Sequence, residues 1–234
     1  MEVIGAAIIG AIGAIGAALI SRLIPERRPL NANKSQPNSG RTQDELVSRT
    51  RVAQESQSRP VAIFLAAITF VACGAIIGIT TNAINGYVSP LYFVNILEWH
   101  DVDNVQRAAI AQGVLEGVLY GFVMGLVFAW NMGSQGHGKV PYGYAAKYIF
   151  GTASAVYATY TLGGLVAVGL AALSPDFYRN AFVGVPEAQS EMLSYAWVGG
   201  AIWGAVFGGL LCFVVGLAVF RSACRRDFSG AKTT

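Results

Sequence analysis

One carboxyl group lies deep inside a long apolar segment of the chain, and it belongs to Glu116. Gln112 precedes it by four residues, so the two side chains would lie one turn apart on the same face of a helix. An ionisable group within a bilayer is costly, and it should therefore face protein or water rather than lipid. Two interpretations are open: a proton or cation site, with Asn82, Asn85 or Tyr120 as companions, or a hydrogen-bonded carboxyl group that fastens helices together.

Four residues with metal-binding side chains lie close together in one polar loop. They are Glu98, His100, Asp101 and Asp103. A single short loop rarely supplies a complete coordination shell. We therefore expect a solvated acidic loop and no metal site.

A second short segment, Gly133–Val140, approaches the phosphate-binding pattern G-x-x-x-x-G-K-[ST]. Val140 replaces the hydroxyl residue that would hold Mg²⁺, and an apolar helix rather than a strand precedes the segment. The three cysteines lie apart, and the two histidines, His100 and His137, fall on opposite sides of the predicted membrane. We therefore expect no enzymatic activity, no cofactor and no nucleic-acid partner.

The composition indicates the solvent that surrounds these residues. Of the 234 residues, 54% are hydrophobic and only 12% are charged. An ordinary soluble domain carries about 25% charged residues, so this chain cannot cover a water-soluble globule with charge. The apolar excess also excludes a disordered chain. The 28 glycines lie mostly within apolar runs, where membrane helices tolerate them. The composition predicts an integral membrane protein in contact with a lipid bilayer.

Five segments are long and apolar enough to cross about 30 Å of hydrocarbon. Lipid offers the backbone no hydrogen-bond partner, so these segments must be helices. We predict an all-α integral membrane bundle of about five transmembrane helices. Its parts are an N-terminal span over 1–24, a basic polar linker over 25–60, a first helical hairpin over 61–130, a loop over 131–147, a second hairpin over 148–220 and a basic tail over 221–234. The first span either crosses the membrane or packs in the centre of an oligomer.

The basic residues are distributed unevenly along the chain. Of the 16 Lys and Arg residues, all except Arg107 and Arg179 lie in 22–60, 131–147 or 221–234. Loops rich in Lys and Arg remain in the cytoplasm. We therefore expect the N-terminus outside and the C-terminus in the cytoplasm. The linker is either a positively charged cytoplasmic segment or a docking site for a partner or for anionic lipid.

A pattern of Ser-Pro, one further residue and two aromatic residues occurs twice, each time where a span is predicted to leave the membrane on the outer side. The first copy contains Ser89, Pro90, Tyr92 and Phe93, and the second contains Ser174, Pro175, Phe177 and Tyr178. Proline ends the preceding helix, and the aromatic side chains suit the membrane interface. Each copy leads to a glycine-rich span, which predicts a tandem repeat of a two-helix hairpin. Glu116 then aligns with Gly199, so a symmetric pair of acids is absent.

Glycine recurs at every fourth position in both of these spans, which gives each helix a smooth face for close packing. The first face consists of Gly113, Gly117, Gly121 and Gly125, and the second of Gly200, Gly204 and Gly208. We expect the two faces to pack against each other or against a neighbouring copy of the chain. This favours a homo-oligomer or a subunit of a larger membrane complex.

Three sequence stretches, SPLYF, QGVLEGVLYGFVMG and SYAWVGGAIWG, occur in this order along the chain. In this arrangement the chain resembles a group of uncharacterised bacterial polytopic membrane proteins, which carry an S-P-x-Y-F-like motif after one span and a glycine-rich last span. The resemblance covers roughly residues 61–220 and excludes the first span and the linker. It implies a protein of the bacterial inner membrane and brings no activity with it.

Three functions are compatible with these features. The first is a structural or interaction subunit that oligomerises through its glycine-lined helix faces. The second is an oligomeric pore or transporter with Glu116 and Gln112 along its path, which the nearly apolar last span disfavours. The third is a membrane subunit that binds a lipid or pigment in the glycine grooves, although two histidines argue against chlorophyll or haem.

Overall fold

The computed structural model describes residues 41–135 and 140–228, and over 41–59 it describes the backbone alone. The chain divides into two compact units, Met1–Ser58 and Arg59–Thr234. In the first unit, residues 41–58 are helical. The predicted N-terminal span over 1–24 lies outside the described residues. The described part of the predicted linker, 41–60, is helical.

The described residues contain helices and no strand, which confirms the all-α prediction. In chain order the helices are α1 (Arg41–Val88), α2 (Pro90–Leu97), α3 (Val105–Ser134), α4 (Tyr142–Leu173), α5 (Pro175–Ala181), α6 (Gln189–Trp203), a π-helical turn (Gly204–Gly208) and α7 (Gly209–Phe228).

Four helical stretches in the described part of the chain are long and apolar enough to cross a membrane. They are Pro60–Val88, Val105–Ser134, Tyr142–Leu173 and Gln189–Phe228. Many of their large apolar side chains are exposed on the surface of the chain, as lipid-facing residues would be. These stretches correspond to the two predicted hairpins. A total of five spans stays a prediction.

The ends of the helices follow from a few polar residues and prolines. The Asn104 side chain accepts a hydrogen bond of 2.9 Å from the backbone N–H of Arg107 and thereby caps the start of α3. Ser89 and Ser174 are the residues before α2 and α5, and Pro90 and Pro175 begin these two short helices. Both copies of the repeated motif therefore end a long helix and begin a short one.

The aromatic residues of the motif differ in how far they are exposed. Phe93 and Tyr178 are only 2% and 3% exposed, whereas Phe177 is 56% exposed. Phe93 packs against Ala109 and Val198, and Tyr178 packs against Ala171 and Met192. The interfacial position of the motif stays a prediction, and these two rings are buried because the short helices pack against the spans.

The first hairpin is held together by direct backbone contact between α1 and α3. Gly113, Gly117, Gly121 and Gly125 are all buried. They lie against Gly78, Gly74, Phe70 and Ala67 of α1, respectively. A methyl group added to Gly121 would lie 2.7 Å from the carbonyl oxygen of Phe70, which is closer than atoms can approach. Only glycine permits this helix spacing.

The second hairpin uses the same kind of contact. Gly163 of α4 lies against Gly200 and Gly204, and Thr159 lies against Gly204 and Gly208. The prediction that the two glycine faces would meet each other or a neighbouring copy is wrong, because each face is already covered by the antiparallel partner helix of its own hairpin. The π-helical turn at Gly204–Gly208 interrupts the α-helical pattern on this face.

Three tyrosine hydroxyl groups of α4 link the second hairpin to α1 of the first. Tyr142 bonds to Thr69 at 2.9 Å, Tyr157 bonds to Thr80 at 2.6 Å, and Tyr160 donates to Asn85 at 2.8 Å. These links join α1 and α4 in parallel orientation over 69–85 of α1 and 142–160 of α4. Nearer the predicted cytoplasmic side, four phenylalanines pack in one cluster across three helices: Phe70, Phe128, Phe213 and Phe220.

We predict that Gly163→Ala lowers the free energy of unfolding by ~1–3 kcal/mol, because the added methyl group would lie 2.8 Å from the Cα atom of Gly204. The matched control is Gly151→Ala in the same helix, since nothing lies within 4 Å of a methyl group there. The control should be neutral or stabilise by up to ~1 kcal/mol, as alanine favours helices. Unfolding by sodium dodecyl sulfate in mixed micelles, followed by circular dichroism, measures both. Equal losses of unfolding free energy in the two variants would contradict the close contact between Gly163 and Gly204.

Candidate functional site

A cavity of about 170 Å³ lies inside the bundle, between the two hairpins. Residues of α1, α3, α4, α6, the π-helical turn and α7 line it. On α1 the lining residues include Thr81, Asn82 and Asn85, which are 7%, 6% and 1% exposed. Tyr160 of α4 lies beside them. These buried polar groups lie toward the predicted outer ends of their helices, so the outer part of the cavity is polar.

The other end of the cavity is apolar and closed. Phe70, Ile149 and Phe213 line it, and these residues are 7%, 0% and 6% exposed. Phe70 and Phe213 belong to the phenylalanine cluster, with ring centroids 5.8 Å apart. Aromatic packing thus separates the cavity from the predicted cytoplasmic side.

The cavity opens sideways, between α3 and α7. Glu116, Tyr120 and Leu210 line the cavity and are also exposed on the surface of the chain. Tyr120 is 52% and Leu210 is 50% exposed. These three residues therefore form the rim of a lateral mouth. Because all three lie well inside apolar spans, the mouth faces the hydrocarbon of a bilayer.

The polar end contains a buried amide that is only partly satisfied. Tyr160 donates its hydroxyl hydrogen to Oδ1 of Asn85 at 2.8 Å. The Nδ2 atom of Asn85 has no hydrogen-bond partner among the described residues, although the side chain is 1% exposed. The Tyr160 ring meets the Trp197 ring edge-on at 6.2 Å. Trp197 fits there because residue 164 is glycine, at which a methyl group would lie 2.8 Å from the indole.

The side chains of Glu116 and Gln112, which the sequence analysis placed on one helix face, form a direct hydrogen bond. The Nε2 atom of Gln112 donates to Oε1 of Glu116 at 2.7 Å. Glu116 lies at the mouth of the cavity, and its proposed companions Asn82, Asn85 and Tyr120 line the same cavity. Gln112 is not a lining residue, but it holds the Glu116 carboxyl group at the rim.

The residues of the repeated motif do not line the cavity. Tyr92 covers Gly199, whose added methyl group would lie 3.1 Å from the tyrosine ring, and its ring lies 5.0 Å from that of Tyr195. Tyr195 in turn donates to the backbone carbonyl of Val183 at 2.6 Å. Burial raises the pKa of Tyr178 to about 12, so its hydroxyl group stays protonated at neutral pH. The motif therefore covers the end of the bundle that is predicted to lie on the outer side.

The sequence analysis missed residues that line the cavity, among them Tyr160, Ile149 and Phe213. Tyr160 lies in a span with several other hydroxyl residues, and nothing in its spacing separates it from them. In the sequence, Ile149 and Phe213 look like any other apolar residues. Only the arrangement of the helices shows that they line the cavity. No group of three or more His, Cys, Asp or Glu side chains that could hold a metal ion occurs within 60–135 and 140–228.

No protein-family model matches the chain, and comparisons with curated proteins and with solved structures give no match. The functional argument therefore rests on the cavity and its residues.

We predict that Tyr160→Phe destabilises the protein by ~1–3 kcal/mol, because it removes the one partner of a buried amide oxygen. Replacing both groups, in Tyr160→Phe with Asn85→Leu, should cost less than the sum of the two single changes, since no polar atom is then left unpaired. A double-mutant cycle of unfolding free energies measures this coupling, expected at ~0.5–3 kcal/mol. Additive losses would show that the hydrogen bond is not formed.

Proposed function

We propose that this protein binds a small amphipathic molecule, which enters the cavity from the bilayer through the lateral mouth. The observation that carries the proposal is the position of Glu116, Tyr120 and Leu210, which line the cavity and are exposed at the level of the spans. A molecule dissolved in the membrane meets such a mouth directly. A water-soluble molecule would have to cross hydrocarbon to reach it.

The polarity of the cavity supports an amphipathic ligand. Ligand sites are mostly apolar and carry a few convergent polar groups. Here the apolar walls come chiefly from Ile202, Val206 and Phe213, and the polar groups come from Asn82 and Asn85. A cavity of about 150 Å³ can hold a benzene-sized molecule. The volume of about 170 Å³ therefore fits a small ring or a short alkyl chain with one polar group.

The same features weigh against a pore. The part of the last span that lines the cavity contributes only glycine and apolar side chains, among them Ala205, Val206 and Leu210. An ion path needs polar groups along its length, and here the phenylalanine cluster closes the inner end. We infer that Glu116 acts at the mouth, by selecting what enters.

We infer further that the two hairpins arose by tandem duplication. Two equivalent contacts support this: Gly78 with Gly113 in the first hairpin, and Gly163 with Gly200 in the second. This alignment pairs Glu116 with Trp203 rather than with Gly199. Either way the second copy lacks an acid, so a single mouth carries the carboxyl group.

We propose the bacterial inner membrane as the location, with the C-terminus in the cytoplasm. In the described part of the chain, Lys147, Arg221, Arg225 and Arg226 lie near those ends of α4 and α7 that share one side of the bundle. Arg107 and Arg179 lie toward the other side. The bias toward positive charge on the cytoplasmic side supports this orientation.

Photolabelling tests the binding proposal. The full chain in lipid nanodiscs is irradiated with a diazirine-bearing octanol, and labelled peptides are mapped by mass spectrometry. We expect label on residues of the cavity, including Glu116 at its mouth. Ala153→Phe fills the cavity and should reduce this label about tenfold, equal to ~1.4 kcal/mol.

The matched control is Ala158→Phe, which adds the same ring to the same helix at an exposed position that does not line the cavity. Labelling of the cavity should be unchanged in this variant. Label spread evenly over lipid-facing residues, or equal loss in both variants, would contradict the proposal.

A second candidate function is assembly with a further copy of the chain. One observation favours it: Glu116 is exposed on the surface of a membrane span, where burial against protein would relieve the cost of contact with lipid. A second copy that covers the mouth would supply that protein surface. The glycine faces cannot serve this purpose, since they are covered within each hairpin.

We predict that Glu116→Leu shifts an oligomer toward monomer, whereas Glu116→Gln keeps the hydrogen-bonding side chain and preserves the oligomer. Native mass spectrometry in detergent measures the distribution, and Glu191→Gln at the exposed start of α6 is the control. A wild-type chain that is monomeric at all concentrations would contradict this second candidate and leave the binding proposal standing.

A further inference from the structure

The polar end of the cavity carries one hydrogen-bond donor that the described protein leaves unpaired. This donor is the Nδ2 group of Asn85, whose side chain is 1% exposed and lines the cavity. Buried amide groups are almost always fully hydrogen-bonded, and the exceptions call for a physical explanation. An amide group left unpaired in a ligand-sized cavity is explained by a ligand that completes its hydrogen bonds.

The orientation of this amide is fixed by its neighbours. Tyr160 donates to its oxygen at 2.8 Å, and this tyrosine is itself only 3% exposed. The Trp197 ring packs edge-on against Tyr160 and restrains it. Tyr160 therefore occupies the amide oxygen, and the N–H group of the same amide remains free for a ligand in the cavity that Asn85 lines. Such preorganised donors give strong discrimination between ligands.

The charged residues around the cavity restrict the chemical class of ligand that it can bind. No Lys, Arg or His occurs among the described residues that line it, so an anionic head group would find no positively charged partner. The carboxyl group of Glu116 lies at the mouth, where it further disfavours the entry of an anionic head group. At the polar end of the cavity, the amide N–H of Asn85 would bond to an acceptor atom rather than to a cation.

We propose that the ligand is a neutral lipophilic molecule with an oxygen acceptor, a carbonyl or ether oxygen, at the end that enters first. Its oxygen accepts a hydrogen bond from Nδ2 of Asn85, and its apolar body lies against the walls formed by Ile202, Val206 and Phe213. This inference rests on the proposed binding function and adds the chemical class of the ligand and the residue that recognises it.

A pair of probes that differ in one oxygen tests the inference. Acetophenone and ethylbenzene have nearly the same size and shape, but only the ketone offers an acceptor. Each competes with the diazirine-bearing octanol for labelling of the full chain in lipid nanodiscs, with concentrations corrected for partition into the lipid. We expect acetophenone to compete at about tenfold lower concentration than ethylbenzene, as one buried hydrogen bond predicts.

Variants of the recognition residues supply the second arm. In Asn85→Leu the preference for the ketone should fall to about one, while ethylbenzene still competes. Tyr160→Phe removes the bond that orients the amide and should reduce the preference partly. Thr161→Val, which removes a hydroxyl group of α4 outside the cavity lining, is the control and should retain the full preference.

The outcomes separate this inference from the proposed function. Equal competition by both probes in the wild-type protein would overturn the inference and leave the cavity as a binding site. Retention of the ketone preference in Asn85→Leu would overturn the role of Asn85. If neither probe reduces cavity labelling, the proposed binding function itself fails. The wild-type comparison decides the matter even if a variant does not fold.

Discussion

Backbone contact through glycine is the constraint on which the rest of this structure depends. Inside a bilayer, apolar side chains gain little by leaving lipid for protein, so helices associate through close packing and polar bonds. Gly74, Gly78 and Gly163 bring the two helices of each hairpin so close that a methyl group on them would collide with the backbone of the partner helix. Each hairpin is thereby a compact pair of helices, and its glycine face is buried between these two helices.

The cavity is a consequence of how these two pairs meet. Tyrosine hydroxyl groups of α4 join α1 along one side, and the phenylalanine cluster joins the helices near the predicted cytoplasmic end. Between these contacts, Glu116 and Tyr120 of α3 and Leu210 of the last span line the cavity and are exposed on the surface of the chain. The opening lies where lipid would be, and the polar groups lie beyond it. We propose that a site with this geometry selects molecules that partition into the membrane before they bind.

Much of the fold could be predicted from the sequence, because long apolar runs and Ser-Pro boundaries act locally. The four described spans follow from the long apolar runs, and the helix period places Gln112 and Glu116 one turn apart, where they form a hydrogen bond. The sequence could not predict which helix covers the glycine face of α3. Gly74 and Gly78 form only a short row of small residues on α1. The bond between Tyr160 and Asn85 joins residues 75 positions apart, and no local pattern indicates such a contact. The buried positions of Phe93 and Tyr178 depend on short helices that fold back.

The central claim is that each hairpin is closed by its own glycines and that the space between the hairpins is left open. Solid-state NMR of the full chain in lipid bilayers, with ¹³C-labelled glycine, measures this directly. The account predicts inter-residue cross-peaks between Gly74 and Gly117 and between Gly163 and Gly200. Cross-peaks that join Gly117 or Gly121 to Gly200 or Gly204 would contradict it, because the two glycine faces would then pack against each other and fill the cavity.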